Sequence, residues 1–334
     1  MADQASTVRP DTINRLREST DSCLAMLAGI QLDVFSPMKS GAMTLEQVAQ
    51  AIEVRPIKLR PLMYALAVAG LLNLNGDQFS NTPEAELYLV KGAPAYMGGM
   101  YEILSSNWEA TLKTAESIRT GIPQAKLDFS DSSEGDLEKF LRSLQPQTIN
   151  AGLALADGWD FSAFRTLADI GGGSGGIAIA ITEKCPHIKA TVVDLPTVTP
   201  ITQRIVDEAG AGDRVDVVAA DVLGGPLSGH YDVVILRALI QVLSPEDAAT
   251  ALKNILEAVK SGGTIHIIGR ILDNSRLTPA SSVAFSMMTV NVYDDGQAYT
   301  EDEYAGWMAD AGFEGFERVH LSGLDDMITA RRPL

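Results

Sequence analysis

The apolar positions of this chain follow two different periods. From Asp11 onward the spacing is helical: Leu16, Cys23, Leu24, Leu27 and Ile30 share one face. Thr44 with Gln47 three residues on forms a capping box and opens a second helix over 44–52. A third helix is expected over 55–72, and Leu72-Asn-Leu-Asn-Gly76 opposite Gln78-Phe-Ser80 reads as a small hairpin. Helix, helix and hairpin make a winged helix. Further helices are expected around 96–119 and over 138–156, on either side of a polar run at 124–135 that reads as a surface loop.

Past residue 160 the period changes. Short β-compatible runs at 167–170, 190–193, 215–219, 232–236 and 263–272 alternate with helical stretches, which predicts an α/β domain on a parallel sheet. Thr300 with Glu303 caps a helix running to Ala311, and 316–321 and 326–330 read as closing strands. The division is therefore 1–159 and 160–334, with 158–164 as the hinge.

Length and composition fit this picture. A chain of 334 residues, 46% hydrophobic and 21% charged, has the balance of a globular protein with two cores. Its net charge of −17 disfavours nucleic acid and anionic membrane as partners, because Lys and Arg contacts to phosphate supply most non-specific affinity. Residues 1–100 hold ten acids against eight bases, so Arg55, Lys58 and Arg60 on an otherwise apolar helix do not make a DNA reader. The two cysteines, Cys23 and Cys185, lie far apart with no CxxC, so buried free thiols are expected and no metal site. With no signal-peptide pattern and no apolar run of about 18 residues, a cytoplasmic protein is expected.

The candidate chemistry begins at Leu167-Ala-Asp-Ile-Gly-Gly-Gly-Ser-Gly-Gly176, where a strand ends in an acid and breaks into glycines before a helix. Gly171, Gly173 and Gly176 fit the dinucleotide spacing, which would put a pyrophosphate on the helix N-terminus. Three acids suggest a different ligand. Asp194 at the second strand end suits a ribose diol, Asp221 after the third can accept from an adenine amino group, and Asp169 can orient an ammonium. S-adenosylmethionine (SAM) carries all three groups.

On Asp169-Ile-Gly-Gly-Gly-Ser-Gly175, Val193-Asp-Leu-Pro196, Ala220-Asp-Val222 and Lys260-Ser-Gly-Gly-Thr264, the chain resembles the class I SAM-dependent methyltransferases. The likeness is to the small-molecule O-methyltransferase-like family with an N-terminal winged-helix dimerisation domain. It implies a Rossmann-like sheet, a homodimer and a small-molecule acceptor. The SAM site implied is Asp169, Gly171, Gly173, Asp194, Leu195, Asp221, Val222 and Arg237. It also implies an acceptor pocket drawn from Trp108, Phe140, Arg142, Gln145, Gln241, Met287, Met288 and Asn291. Phe140, Met287 and Met288 could equally be core filler, and Arg142 an ion-paired surface cation.

The chain departs from the resembled family at the acid–base set. By its flanks, Arg237-Ala-Leu-Ile-Gln241 puts Gln241 where the family's general base, a histidine, stands. The two carboxylates that support that histidine fall on Gly269 and Ala298. None of the four histidines fills the gap, and His266, inside a strand, reads as a packed, hydrogen-bonded side chain. A thioether sulfur is nucleophilic without losing a proton. The missing base therefore points to S-methylation of a thioether acid such as 4-methylthio-2-hydroxybutyrate, the dimethylsulfoniopropionate branch, with Arg142, Arg237 or Arg270 pairing the carboxylate. O-methylation of a phenolic hydroxyl is the alternative. A non-methylating relative of pericyclase or hydroxylase type is another.

Overall fold

The computed structural model describes residues 8–93, 95–99, 108–130, 132–320 and 326–334. They form two compact units, 1–108 and 109–334.

In the first unit α1 (Asp11–Gln31) leads through a short 3₁₀ turn to β1 (Met43–Thr44), α2 (Leu45–Ala51), α3 (Pro56–Val68), β2 (Leu72–Asn75), β3 (Gln78–Asn81) and α4 (Pro83–Tyr88). The strands pair in the order β1-β3-β2, the expected winged helix. The Thr44 hydroxyl accepts from the Gln47 N–H while Gln47 Oε1 accepts from the Thr44 N–H, so the capping box is complete. Helix α3 stops at Val68 rather than 72, because Gly70 turns the chain left-handed (φ +80°) into the hairpin. The core holds Phe35, Val48, Met63, Leu66 and Phe79. Much of α1 does not join it. Leu16 is 59% exposed, Leu24 44%, and Cys23, expected as a buried thiol, is exposed. The apolar stripe read as one core-facing side has a solvent-facing half within a single chain.

The second unit begins with α5 (Trp108–Thr111, whose first residue closes the preceding unit), α6 (Thr114–Thr120) and the long α7 (Glu134–Gly158). Then β4 (Thr166–Ile170), α8 (Gly176–Lys184), β5 (Lys189–Asp194), α9 (Thr199–Glu208), β6 (Val215–Ala219) and β7 (Tyr231–Arg237) follow. The chain ends through α10 (Pro245–Leu256), β8 (Val259–Gly269), β9 (Ile271–Leu272), α11 (Ala280–Thr289), β10 (Tyr299–Thr300), α12 (Glu301–Ala311), β11 (Glu314–Val319) and β12 (Asp326–Arg331). Residues 109–159, expected with the N-terminal part, pack here. Ala151 and Leu155 of α7 share a core with Ile177 and Ile181 of α8.

The seven-stranded sheet runs β11-β12-β8-β7-β4-β5-β6, with β11 and β12 antiparallel and the rest parallel. Apolar cores fill both faces, one beneath α7, α8 and α9 and the other beneath α10 and α12. The chain steps outward from β4 to β5 and β6, then returns to place β7 on the other side of β4. In open α/β sheets such a reversal leaves a crevice at the strands' carboxyl ends where ligands bind. Asp169, the glycine turn and Arg237 all lie at that edge.

Candidate active site

Strand β4 delivers Asp169 to the floor of the crevice. The side chain is 1% exposed, and neither carboxyl oxygen has a hydrogen-bond partner among the described residues. Burial pushes the carboxyl up to about 7. Asp194 adds to the shift, while the Ala178 N–H, short of good bonding geometry, and Arg237 oppose it. A buried, unsatisfied carboxylate is costly unless a cation or donor reaches it. An ammonium group is such a partner.

The glycine turn is shaped around that acid. Gly171, Gly173 and Gly175 are left-handed, with φ of +68°, +55° and +71°, and a Cβ at Gly172 would lie 2.7 Å from Asp169 Cγ. The Gly171 N–H donates to the Val193 carbonyl at 2.7 Å. Asp194 accepts from the Gly173 N–H through Oδ2 and from the Leu195 N–H through Oδ1, each at 2.8 Å. Burial raises the Asp194 carboxyl and these two donors lower it. Each oxygen keeps a lone pair for a further donor such as a ribose hydroxyl. Asp221 is exposed past the end of β6, its Oδ1 accepting from the Leu223 N–H at 2.9 Å, with Val222 buried beside it. These residues and Arg237 fit SAM, whose ammonium is a group that the buried Asp169 carboxyl could accept from.

Sequence reasoning missed the cover over this turn. Thr148 of α7 and Ser174 share a hydroxyl hydrogen bond of 3.0 Å, and Leu141 lies against Gly173. Thr202 of α9 donates to the Gly173 carbonyl at 2.6 Å. Nothing in the spacing of Thr148 or Thr202 marks them, because their partners are distant in sequence.

The acceptor side departs further from expectation. After β7, Ala238 takes φ +59°, a strained turn for a residue with a Cβ, and leads into the 3₁₀ turn that carries Gln241. Gln241 is 5% exposed, and its Oε1 accepts from the Arg270 N–H at 2.9 Å. A side chain at Gly269 would overlap that oxygen, and a Cβ at Gly296 would sit 2.9 Å from the Gln241 carbonyl. The Tyr299 hydroxyl, its pKa pushed up to about 12 chiefly by burial, donates to the Leu243 carbonyl at 2.5 Å and holds the end of the turn. Ala298 is fully buried, its N–H donating to Ser286 Oγ at 3.1 Å.

Several residues expected to line a pocket have structural tasks. Arg142 donates to Glu138 at 2.8 Å and to both oxygens of Glu208 at 2.8 Å, tying α7 to α9. Its guanidinium, held well above the usual range by these carboxylates, is consumed on the surface. Asn291 is buried, donating to Thr114 and accepting from Ser117, each at 2.8 Å. Met287 is 53% exposed, while Met288 is half-buried. Phe140 stacks edge-on against Phe129 at 5.8 Å beside the α7 core, and the Gln145 carbonyl accepts from Thr148. Trp108 is half-buried. His266 lies against Trp159 at 4.6 Å as a packed side chain, yet neither ring nitrogen has a partner among the described residues. The expected hydrogen bond is missing among the described residues, and burial drives the ring's pKa down to about 3.

Residues 119–314 match the family described as an O-methyltransferase domain, and residues 19–91 match the O-methyltransferase dimerisation domain. The chain belongs to the O-methyltransferase family. It is 30% identical over 306 residues to 3-hydroxy-5-methyl-1-naphthoate 3-O-methyltransferase of Streptomyces sahachiroi, covering 89% of this chain and 87% of that one. It is 26% identical over 330 residues to the tetracenomycin polyketide synthesis 8-O-methyl transferase of Streptomyces glaucescens, covering 97% of each. The structure of human N-acetylserotonin methyltransferase in complex with SAM superposes with a TM-score of 0.83 over 98% of this chain and 99% of that one, at 22% identity. The family accounts for the winged helix, the sheet and the glycine turn, and makes the chain a SAM-dependent methyltransferase with a dimerisation domain. Among the described residues no helix is long and apolar enough to cross a membrane, and no cluster could hold a metal ion.

Proposed function

We propose that this protein, acting as a homodimer, methylates an oxygen of a small molecule that reaches the site already ionised: a phenol or enol made acidic by a conjugated carbonyl. The observation that carries this reading is Gln241. It stands where the resembled family has a histidine base, and its amide, with Oε1 committed to the Arg270 N–H, has no basic atom to offer.

SAM supplies an electrophilic methyl on a sulfonium. As the bond from the acceptor oxygen to that carbon forms, the carbon–sulfur bond breaks and its electron pair stays on sulfur. An oxyanion becomes a neutral ether and no proton is released. Asp169 would accept from the ammonium end of the donor, Asp194 from its ribose hydroxyls, and Asp221 from the adenine amino group. Holding the partners in line supplies about 7–11 kcal/mol of the barrier without any base. A base would add about 10²–10⁴-fold for an acceptor that must lose a proton. An ordinary phenol, with pKa about 10, is ionised to only about one part in a thousand at pH 7. With an amide in place of a base at position 241, the site therefore favours the acidified phenol.

A thioether acid, as in the dimethylsulfoniopropionate route, also needs no base. Its carboxylate needs a cation, however, and of the three arginines expected to supply one, Arg142 is spent on Glu138 and Glu208. The two bacterial relatives named above are both described as acting on oxygen. The readings separate in one assay. With labelled SAM, 2-hydroxy-1,4-naphthoquinone should yield methyl ether and S-adenosylhomocysteine, while 4-methylthio-2-hydroxybutyrate yields neither. Transfer to the thioether alone would overturn the assignment, as would conversion of the quinone without S-adenosylhomocysteine.

A further inference from the structure

We propose that Gln241 is the residue that selects the acceptor, its Nε2 donating to an acceptor oxygen, either the ionised oxygen itself or the conjugated carbonyl beside it. The inference rests on the base-free reading above and names what replaces the base.

The geometry fixes the amide's orientation. A backbone N–H can only donate, so the atom of Gln241 facing the Arg270 N–H at 2.9 Å is its oxygen. Nε2, with two hydrogens, then occupies the other side, and among the described residues it has no protein partner. The Arg270 N–H holds the side chain in the space left open by the missing side chain of Gly269, Gly296 leaves room for the Gln241 carbonyl, and Tyr299 pins the next turn at Leu243. Gln241 lies just past β7 at the sheet's ligand-binding edge. Leu239, two residues earlier, lies against Gly171 of the SAM turn. A rigid amide donor thus stands beside the cofactor turn where a base is expected.

A donor held in a nearly buried place discriminates sharply. It strengthens binding of an oxygen bearing full or partial negative charge, and it is left unsatisfied by a ligand with none there. A carboxamide also does not titrate. With SAM saturating, so that the Asp169 carboxyl is held ionised by the ammonium, the rate should follow the acceptor's own ionisation and show no inflection from position 241, where a histidine base would give one.

The test uses the full-length protein saturated with S-adenosylhomocysteine, so that acceptor binding is read without turnover. Wild type should bind the 2-hydroxy-1,4-naphthoquinone anion by calorimetry and shift its visible band. Gln241→Leu should weaken that binding roughly ten- to a hundredfold, leave 2-naphthol binding within about twofold, and leave S-adenosylhomocysteine affinity unchanged. If Gln241→Leu loses S-adenosylhomocysteine binding, the near-isosteric Gln241→Glu, which keeps an acceptor for the Arg270 N–H, takes its place. It should repel the anion to a similar degree. Equal quinone affinity in wild type and a variant that still binds S-adenosylhomocysteine would overturn the role of Gln241. Tight, Gln241-dependent binding with no methyl transfer from SAM would instead overturn the acceptor assignment while leaving Gln241 as the selecting residue.

Discussion

Gln241 Oε1 occupies the volume that a side chain at Gly269 would need, so position 269 can gain a side chain only if residue 241 gives way. Gly269→Ala alone should displace Oε1 from the Arg270 N–H and destabilise the fold by about 1–3 kcal/mol, the usual range for overpacking. Gln241→Ala combined with Gly269→Ala relieves the overlap. Urea unfolding of the two single variants and the double variant should show the double less destabilised than the sum of the singles. Additive losses would mean that the two residues do not share that space.

The grouping of the candidate cofactor residues at one edge of the sheet was legible in the chain because its determinants are local. Asp169 and the left-handed glycines are neighbours, Asp194 ends a strand, and Asp221 lies two residues past one, each strand having an unmistakable apolar run. The acceptor half was not, because it depends on contacts across long separations. The Gln241–Arg270 hydrogen bond spans 29 residues and the Asn291–Thr114 bond 177. Arg142 and Asn291 carry polar groups that suit a pocket, but what decides their role is a partner at Glu208 or Ser117 that periodicity does not reveal. The alternation after residue 160 likewise gave the sheet, whereas the packing of α7 on α8, which moves residues 109–159 into the second unit, left no mark in spacing.

Asp169 makes the stability of the fold sensitive to pH. Its folded pKa of about 7 stands above an ordinary value of 3.8, so the native state binds more protons between those values. Its contribution to stability is complete below pH 3.8 and is lost as pH rises through 7. Asp169→Asn should therefore raise the melting temperature of the cofactor-free protein by a few degrees at pH 8, with little effect at pH 4. The same variant should bind SAM at least tenfold more weakly, since the ammonium loses its counter-ion. Differential scanning fluorimetry across pH, with and without SAM, reads both effects.

His266 acts in the opposite direction. Its folded pKa of about 3 lies below the ordinary 6.5, so the unfolded chain binds more protons in that interval. Its contribution is intact above pH 6.5 and is lost as pH falls toward 3. His266→Leu removes two buried nitrogens that have no partner and keeps the contact with Trp159. It should be neutral or stabilising by about 1 kcal/mol at pH 7, and more clearly so at pH 5. Methyl transfer should be unchanged, because the ring lies inside the core. A large loss of activity in a folded variant would give His266 a role that its surroundings do not suggest.

The first unit exposes more apolar surface than a lone domain needs. On α3, Ile57, Tyr64 and Val68 fall at helical spacing along one side and are 62%, 49% and 87% exposed. On α1, Ile13, Leu16 and Leu24 do the same at 69%, 59% and 44%. Contiguous apolar patches of this kind mark interaction surfaces, and residues 19–91 match a dimerisation domain. Charges placed there should separate the subunits without disturbing the core, which is carried by Leu59, Met63 and Leu66 on the opposite side of α3. Val68→Glu combined with Leu24→Glu should give a monomer by analytical ultracentrifugation, with the circular dichroism of the wild type. A double variant that still sediments as a dimer would place the interface elsewhere on the chain.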